Sequence, residues 1–400
     1  MKKLLLGIII LFSVVLVISC NGEDITIYDY EPEINTVAIH RENVIYLDED
    51  NQVFTKGENR HGQLGDGGFQ DRTVFINITD NFNLSESEFI KSVALGEYHA
   101  AALSNTGRVF TWGHNAYGKL GVIPGDDRNM PVDITDNFDL GEDDKIVFLN
   151  LGRDNGAVIS QLGNVYTWGA NAYGQLGNGV SLNPWEETEH EPFKINENFN
   201  LIADEQIIKV ALGNNHGIAL TNIGRVFTWG SNEVGQLGTD EVDASLLPID
   251  ITDKFMLDDE MVIDIDLGYD HSGVLIDTGR VYVFGDNAWG QLGLGTEVIQ
   301  VEVPEEITND ITIDETILRI SLAHNSSAVL TDENVYVFGF NNSGQLGIGN
   351  TTTIYNPVTV DLSFVSEGKV ADYLISKELT ALITEDGDLY FNQDNTWEME

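Results

Sequence analysis

The chain has one cysteine, Cys20, in 400 residues, which excludes an intramolecular disulfide framework. Its eight prolines are too few for a collagen-like or proline-rich disordered polymer. Cations are scarce as well. Twenty basic residues stand against 65 acidic ones, a formal charge of -45. A surface this negative repels phosphate backbones and anionic headgroups, so nucleic acid is not an expected partner. No Asp-x-Asp-x-Asp-Gly run marks a calcium loop, and no Gly-Lys-Ser/Thr followed by a helix marks a P-loop. No catalytic constellation, cofactor motif or metal-ligand spacing emerges from the sequence.

The one long apolar run extends from Leu4 to Val17, after Lys2 and Lys3 and before Ser19 and Cys20. That is the charged, apolar and cleavage-site order of a secretory signal. Val17-Ile18-Ser19-Cys20 resembles the bacterial lipobox, in which the cysteine is acylated and becomes the first residue after cleavage. An uncleaved anchor or a plain signal is the alternative. The expected organisation is a signal peptide over 1–19, a lipid-anchored lead with a candidate first strand over 20–33, and a repeat body over 34–400. Attachment at Cys20 puts the protein outside the cytoplasm, held to the cell membrane by its lipid alone. Stable anchoring takes two acyl chains or more, at about 0.8 kcal/mol per buried methylene.

What the chain has in abundance is glycine, forty residues of it, much of it in six copies of one loop. The copies begin at Gly57, Gly113, Gly169, Gly230, Gly285 and Gly339 and read GENRHGQLG, GHNAYGKLG, GANAYGQLG, GSNEVGQLG, GDNAWGQLG and GFNNSGQLG. Their spacings of 56, 56, 61, 55 and 54 residues belong to propeller blades or solenoids rather than to an ordinary globular domain. Within one copy, Val93 and Leu95 alternate with smaller or polar neighbours, as in a half-buried strand. Two apolar runs ending at Leu103 and starting at Val109 flank Ser104-Asn105-Thr106-Gly107, which reads as a hairpin. Five clear hairpins and two degenerate ones, from Val37 and Val370, make seven. The fourth strand of each blade is assigned to the Pro-Val-x-Ile segment preceding it, which leaves residues 25–28 as the candidate missing strand of the first blade. The two terminal copies are expected to be the least regular.

The pattern from Leu212 to Gly238, Leu-Gly-x-x-His-x-x-x-Leu-x-x-x-Gly-Arg-Val-Phe-x-Trp-Gly-x-Asn-x-x-Gly-Gln-Leu-Gly, resembles the repeat of the regulator of chromosome condensation 1 (RCC1) family. In-register copies cover about nine-tenths of the chain, everything after the signal and a short lead. The resemblance implies an all-β, seven-bladed β-propeller. It leaves function open, since one family member exchanges guanine nucleotide on a small GTPase and a secreted bacterial relative inhibits a β-lactamase through a ring face.

Four segments of the repeat invite a functional reading. His99, His216 and His271 share one repeat position, filled elsewhere by Asn43, Asn155, Ser326 and Leu379; spread around a ring, they are expected to make local backbone hydrogen bonds rather than a metal site. The connectors after Ile78, Ile134, Ile195 and Ile251 each carry a phenylalanine (Phe82, Phe138, Phe199, Phe255) expected to pack on its blade, followed by carboxylates expected to face water rather than to hold Ca²⁺. Asp266 stands where other copies have alanine, serine or asparagine. The variable pair inside each loop includes Arg60 with His61, Tyr117, Tyr173 and Trp289. Aromatic rings there serve either to pack neighbouring loops or to build a binding face.

These features point to a non-enzymatic cell-surface lipoprotein whose propeller face binds a protein or a surface polymer, with Tyr117, Tyr173, Trp289, Arg60 and His61 as candidate contacts. An acidic surface favours partners with apolar or cationic groups. A propeller hydrolase or lyase with a carboxylate pair at the channel mouth is the alternative. Guanine nucleotide exchange fits poorly with an exported chain.

Overall fold

A single copy of the repeat cannot bury both faces of its own small sheet, so copies must cover one another. The computed structural model describes residues 36–181, 191–311, 315–365, 369–393 and 395–400. These residues form seven four-stranded antiparallel sheets, each a meander of consecutive strands, over 37–77, 90–133, 146–194, 207–250, 262–306, 317–359 and 370–399. They are blades 1 to 7 of the expected all-β seven-bladed β-propeller. Described helix is confined to single turns such as Thr79–Phe82 and Thr308–Ile311. The signal, Cys20 and the candidate strand at 25–28 lie outside the described residues.

Blade 2 shows why these segments become strands in this order. Its inner strand is Ile90–Gly96, followed by His99–Ser104, Val109–Gly113 and an outer strand Arg128–Asp133. The two middle strands are buried along their whole length. Neighbouring blades cover them on both sides, so they read as apolar runs rather than as alternating ones. The hairpin between them turns at Gly107, whose φ of +94° suits glycine. Inner strands of all seven blades line an axial channel of about 220 Å³.

Two strand assignments from sequence change. The Pro-Val-x-Ile segment pairs with the hairpin before it: Phe110 pairs with Asp133 and Thr111 with Val132 in blade 2. Each blade is therefore closed by the strand that follows its own loop, and blade 1 is complete with Arg72–Asn77 and lacks nothing. Blade 7, which has no loop, gets its fourth strand from Thr396–Met399. The ring shuts without strand exchange, by Ser376 Oγ donating to Arg41 O at 2.9 Å and by packing of Phe75 on Phe391, centroids 5.8 Å apart. Among the described residues the shortest outer strand is the two-residue Phe193–Lys194 in blade 3.

Neighbouring blades are latched by one hydrogen bond that recurs in two chemical forms. Its acceptor is the carbonyl of the Gln or Lys in each Gly-(Gln/Lys)-Leu-Gly loop. In blades 2, 3 and 4 the indole N–H of Trp112, Trp168 and Trp229 donates to Gln63, Lys119 and Gln175 of the blade before, at 3.0, 3.0 and 2.8 Å. In blades 5 and 6 the ring is Phe284 or Phe338, which has no N–H, and the donor is Ser272 Oγ to Gln236 O at 2.9 Å or Ser327 Oγ to Gln291 O at 2.7 Å. Thr380 does the same for Gln345 in blade 7. The two forms go with different residues across the hairpin, and in blade 2 Trp112 faces Ala100. Trp168 and Trp229 face Gly156 and Gly217 across the hairpin, whereas Phe284 and Phe338 face Ser272 and Ser327. A β-carbon on Gly217 would lie 2.4 Å from the Trp229 ring.

The shared histidine position takes its role from this latch. His216 Nε2 lies 3.1 Å from Ser272 Oγ, and His271 Nε2 lies 3.0 Å from Ser327 Oγ, each reaching into the next blade. Because the serine hydroxyl donates to a carbonyl, its oxygen accepts from Nε2–H. Only His99 has the expected local backbone partner, Glu97 O at 3.4 Å. Burial pushes all three imidazoles down to about 3, so they stay neutral. Where the next blade has glycine instead of serine, the bond has no taker: His99 Nε2 and the Asn155 amide are buried without partners. Asp266 is a further strut, accepting from Leu322 N–H of blade 6 at 2.7 Å, and burial raises its carboxyl to about 7.

The connectors behave as expected at their aromatic residues and differently at their acids. Phe82, Phe138, Phe199 and Phe255 are all buried against their blades. Not all the carboxylates after them face water, however. Glu88 and Glu205 are buried, each pinning an arginine of the Gly-Arg-Val hairpin: Arg108 bonds Glu88 at 3.0 Å and Asp133 at 2.8 Å, and Arg225 bonds Glu205 and Asp250 at 2.8 Å each. Burial alone would raise Glu88, but hydrogen bonds from Thr106, Ser104, Ser85 N–H and Arg108 outweigh it and hold it at about 2.

Candidate functional site on the loop face

In a four-stranded meander the first and third turns lie at the same end. The glycine-rich loops and the turns between inner and second strands therefore share one face of the ring, and the connectors occupy the other.

Each loop is a self-capped structure, which explains its fixed residues. The asparagine side chain accepts from the leucine N–H five residues on, as Asn59 does from Leu64 at 3.0 Å and Asn287 from Leu292 at 2.8 Å. The glutamine side chain accepts from the N–H two residues back, as Gln175 does from Tyr173 and Gln291 from Trp289, both at 2.9 Å. These residues make the fold, and no phosphate cradle is needed to account for them. Blade 2 departs from the pattern: Lys119 replaces glutamine, Tyr117 turns to φ +62°, and the lysine, 2% exposed, pairs with Asp154 of blade 3 and donates to Glu97 O at 3.3 Å.

Inside the loops, the turns form a polar belt that crosses all seven blades. Arg41 of blade 1 lies 3.6 Å from Glu378 of blade 7 and 3.7 Å from Glu97 of blade 2, and donates to Tyr98 OH at 3.2 Å. Arg153 of blade 3 bonds Glu97 at 2.7 Å and Asn214 of blade 4 at 2.8 Å. Its guanidinium stands 5.9 Å from the Tyr269 ring of blade 5, which packs 4.2 Å from His324 of blade 6. Burial pushes the Asp154 carboxyl up, but Lys119 and Arg153 more than reverse this and hold it below the usual range. Burial lowers His324 to about 4. Glu97 is thus held between two guanidiniums.

The sequence-derived contacts sit outside this belt on the same face. Arg60 is exposed and stacks over Tyr98, 4.3 Å from its centroid. His61 is half-buried and bonds Asp127 of blade 2 at 2.7 Å. Tyr117 is half-buried; Tyr173 and Trp289 are 46% and 42% exposed. Trp289 packs edge-on against Phe340 of the next loop at 5.2 Å, so this ring bridges neighbouring loops while part of it stays exposed. Tyr117, Tyr173 and Trp289 belong to blades 2, 3 and 5, and so are distributed around the face rather than gathered. Sequence reasoning missed Phe69, Ile123 and Ile299, exposed apolar residues on the return arms of these loops. They lie outside the repeated motif, and no spacing marks them. It also missed one grouping that breaks the expectation of no metal-ligand set: His61, His114 and Asp127 bring donor atoms within 4.8 Å of one another.

The geometry defines a class: a closed propeller with a rigid, self-capped loop face surrounding a salt-bridged hub. The model of the RCC1-like domain matches residues 23–382, and the chain belongs to that family. It is 27% identical over 314 residues to the ultraviolet-B receptor UVR8 of Arabidopsis thaliana, covering 77% of this chain and 65% of that one. It is 29% identical over 314 residues to the human E3 ubiquitin-protein ligase HERC2, covering 77% of this chain and 6% of the ligase. The chain therefore spans less than two thirds of these relatives. Among solved structures, human WBSCR16 superposes with a TM-score of 0.72 at 22% identity, covering 87% of this chain and 85% of that one. Yeast RCC1 (Prp20), solved bound to Kap60, gives 0.71 at 20% identity, covering 94% and 85%.

Proposed function

We propose that this chain is a non-enzymatic, lipid-anchored cell-surface protein that binds another protein through the loop face of its propeller. The carrying observation is that this face displays separated exposed apolar side chains, Phe69, Tyr173, Trp289 and Ile299, on loops whose backbones are fixed by their own Asn and Gln caps, with exposed Ile123 on the blade 2 loop among them. Anchors on rigid loops lose little entropy on binding, which is what hot spots require. The surrounding acidic surface selects partners with apolar or cationic groups. Yeast RCC1 (Prp20), solved with Kap60 bound, is a protein-binding member of the same fold. Anchoring rests on the lipobox setting of Cys20.

Two measurements test the two halves. Metabolic labelling with a fatty acid tags the wild-type chain and not Cys20→Ala; label on the variant, or none on the wild type in a host with the modifying enzymes, removes the anchor. For binding, the immobilised chain captures its partner from the native cell surface. Tyr173→Ala and Trp289→Ala each then weaken capture by about 2 kcal/mol, roughly 30-fold, with unfolding midpoints unchanged. If both variants capture normally while Met256→Ala, on the connector face, does not, binding belongs to the opposite face.

A further inference from the structure

We propose that His61, His114 and Asp127 form a binding site for a transition-metal ion of the Zn²⁺ class in the seam between blades 1 and 2. The three donors come from two loops: His61 from the tip of the blade 1 loop, His114 and Asp127 from the two ends of the blade 2 loop. Their ligand atoms lie within 4.8 Å of one another, and the imidazole rings of His61 and His114 are 4.2 Å apart.

The surroundings hold the donors in place. Asp127 Oδ1 accepts from Asn115 N–H at 3.2 Å, which orients the carboxylate with Oδ2 towards His61 Nδ1. His114 is fixed by its own N–H donating to Tyr98 O at 2.8 Å. The His61 N–H donates to Gln63 Oε1 at 2.9 Å, and Gly62 sits so close to blade 2 that a β-carbon would lie 2.5 Å from Asn129 Cα. The Tyr98 ring packs against both imidazoles, at 5.3 and 6.5 Å. Such outer contacts are what keep metal ligands oriented.

The rest of the ring shows what this slot holds when it is only packing. The residues equivalent to His61 and His114 at the seam of blades 5 and 6 are Trp289 and Phe340, an edge-to-face aromatic pair 5.2 Å apart. At the blade 1–2 seam the pair is two imidazoles with a carboxylate, and His114 Nδ1 is buried without a hydrogen-bond partner. Two nitrogens and one oxygen are a borderline donor set: they suit Zn²⁺, Co²⁺ or Ni²⁺ and not Ca²⁺ or Mg²⁺, which prefer all-oxygen shells. Ligand bonds of about 2.0–2.2 Å in a tetrahedron separate donors by roughly 3.3 Å. The 2.7 Å His61–Asp127 contact therefore opens slightly as the ion replaces the shared proton. Three protein ligands leave a fourth position for water or an incoming donor.

Co²⁺ is the probe. The full chain is stripped with EDTA, dialysed, and titrated with Co²⁺ in excess Mg²⁺ to occupy the many exposed carboxylates. The expected result is one equivalent bound with the intense visible absorption of tetrahedral cobalt, displaced by one equivalent of Zn²⁺. His61→Tyr, which places in this slot the residue that two other loops carry, abolishes the band while keeping the wild-type unfolding midpoint in EDTA. His114→Ala and Asp127→Asn abolish it as well. A wild-type chain without the band, or any one of the three variants retaining it at full strength, overturns the site.

Discussion

Gly217→Ser is expected to destabilise the propeller by about 3 kcal/mol, and adding Trp229→Phe to return most of that loss. The single serine puts a β-carbon 2.4 Å from a fully buried indole in a close-packed seam, and overpacking there costs up to about 3 kcal/mol. Trp229→Phe alone removes the N–H that reaches Gln175 O at 2.8 Å, leaving a buried carbonyl unpaired at about 2 kcal/mol. Together the two substitutions rebuild the arrangement of blade 5, where Phe284 leaves room for Ser272 and the hydroxyl donates to Gln236 O. The new hydroxyl also stands where His216 finds Ser272, so it offers a partner to the Asn155 amide, which now has none. Denaturant titration of both single variants and the double variant checks this. Losses that simply add would mean that the two latch forms are not interchangeable.

The ring itself was legible in the sequence because its punctuation is made by backbone needs. A glycine with φ of +100° to +107° opens the loops at Gly113, Gly169, Gly230, Gly285 and Gly339, and no other residue fits there well. The loop asparagine and glutamine recur because they cap their own backbone. What could not be read was anything set by contact between blades. The fourth strand of blade 7 follows no loop and spans only four residues, Thr396–Met399, with no Pro-Val-x-Ile signature to announce it. Whether a Pro-Val-x-Ile strand belongs to the blade before or after it depends on pairing, which periodicity does not encode. Glu88 and Glu205 look like any other connector acids until the hairpin arginines fold over them. His61 and Asp127 are 66 residues apart and become neighbours only because consecutive loops lean on each other. The matching of Trp with Gly or Ala and of Phe with Ser was printed in the sequence, but its meaning requires knowing that the two positions face each other across a hairpin.

A similar case is Lys119, which looks like a harmless departure from the loop's usual glutamine. Reverting it with Lys119→Gln is nevertheless expected to cost about 3 kcal/mol, the size seen when one member of a buried ion pair is removed. The ammonium is 2% exposed, and without it the Asp154 carboxylate keeps only Arg153 at 3.4 Å, while Glu97 O loses a donor. In the next seam the equivalent positions are Gln175 and Asn215, so Lys119→Gln with Asp154→Asn installs a neutral combination that this ring already carries. The double variant should recover most of the loss. Proton linkage gives an independent check. The folded-state pKa of Asp154 is depressed, so its contribution is present above the unfolded carboxyl value near ~4 and is lost as pH falls through the folded one. The stability gap between wild type and Lys119→Gln is therefore widest near neutral pH and narrows as the pH drops below about 4. A gap that keeps its neutral-pH size in strong acid would place the cost in the altered loop tip at Tyr117 rather than in the buried pair.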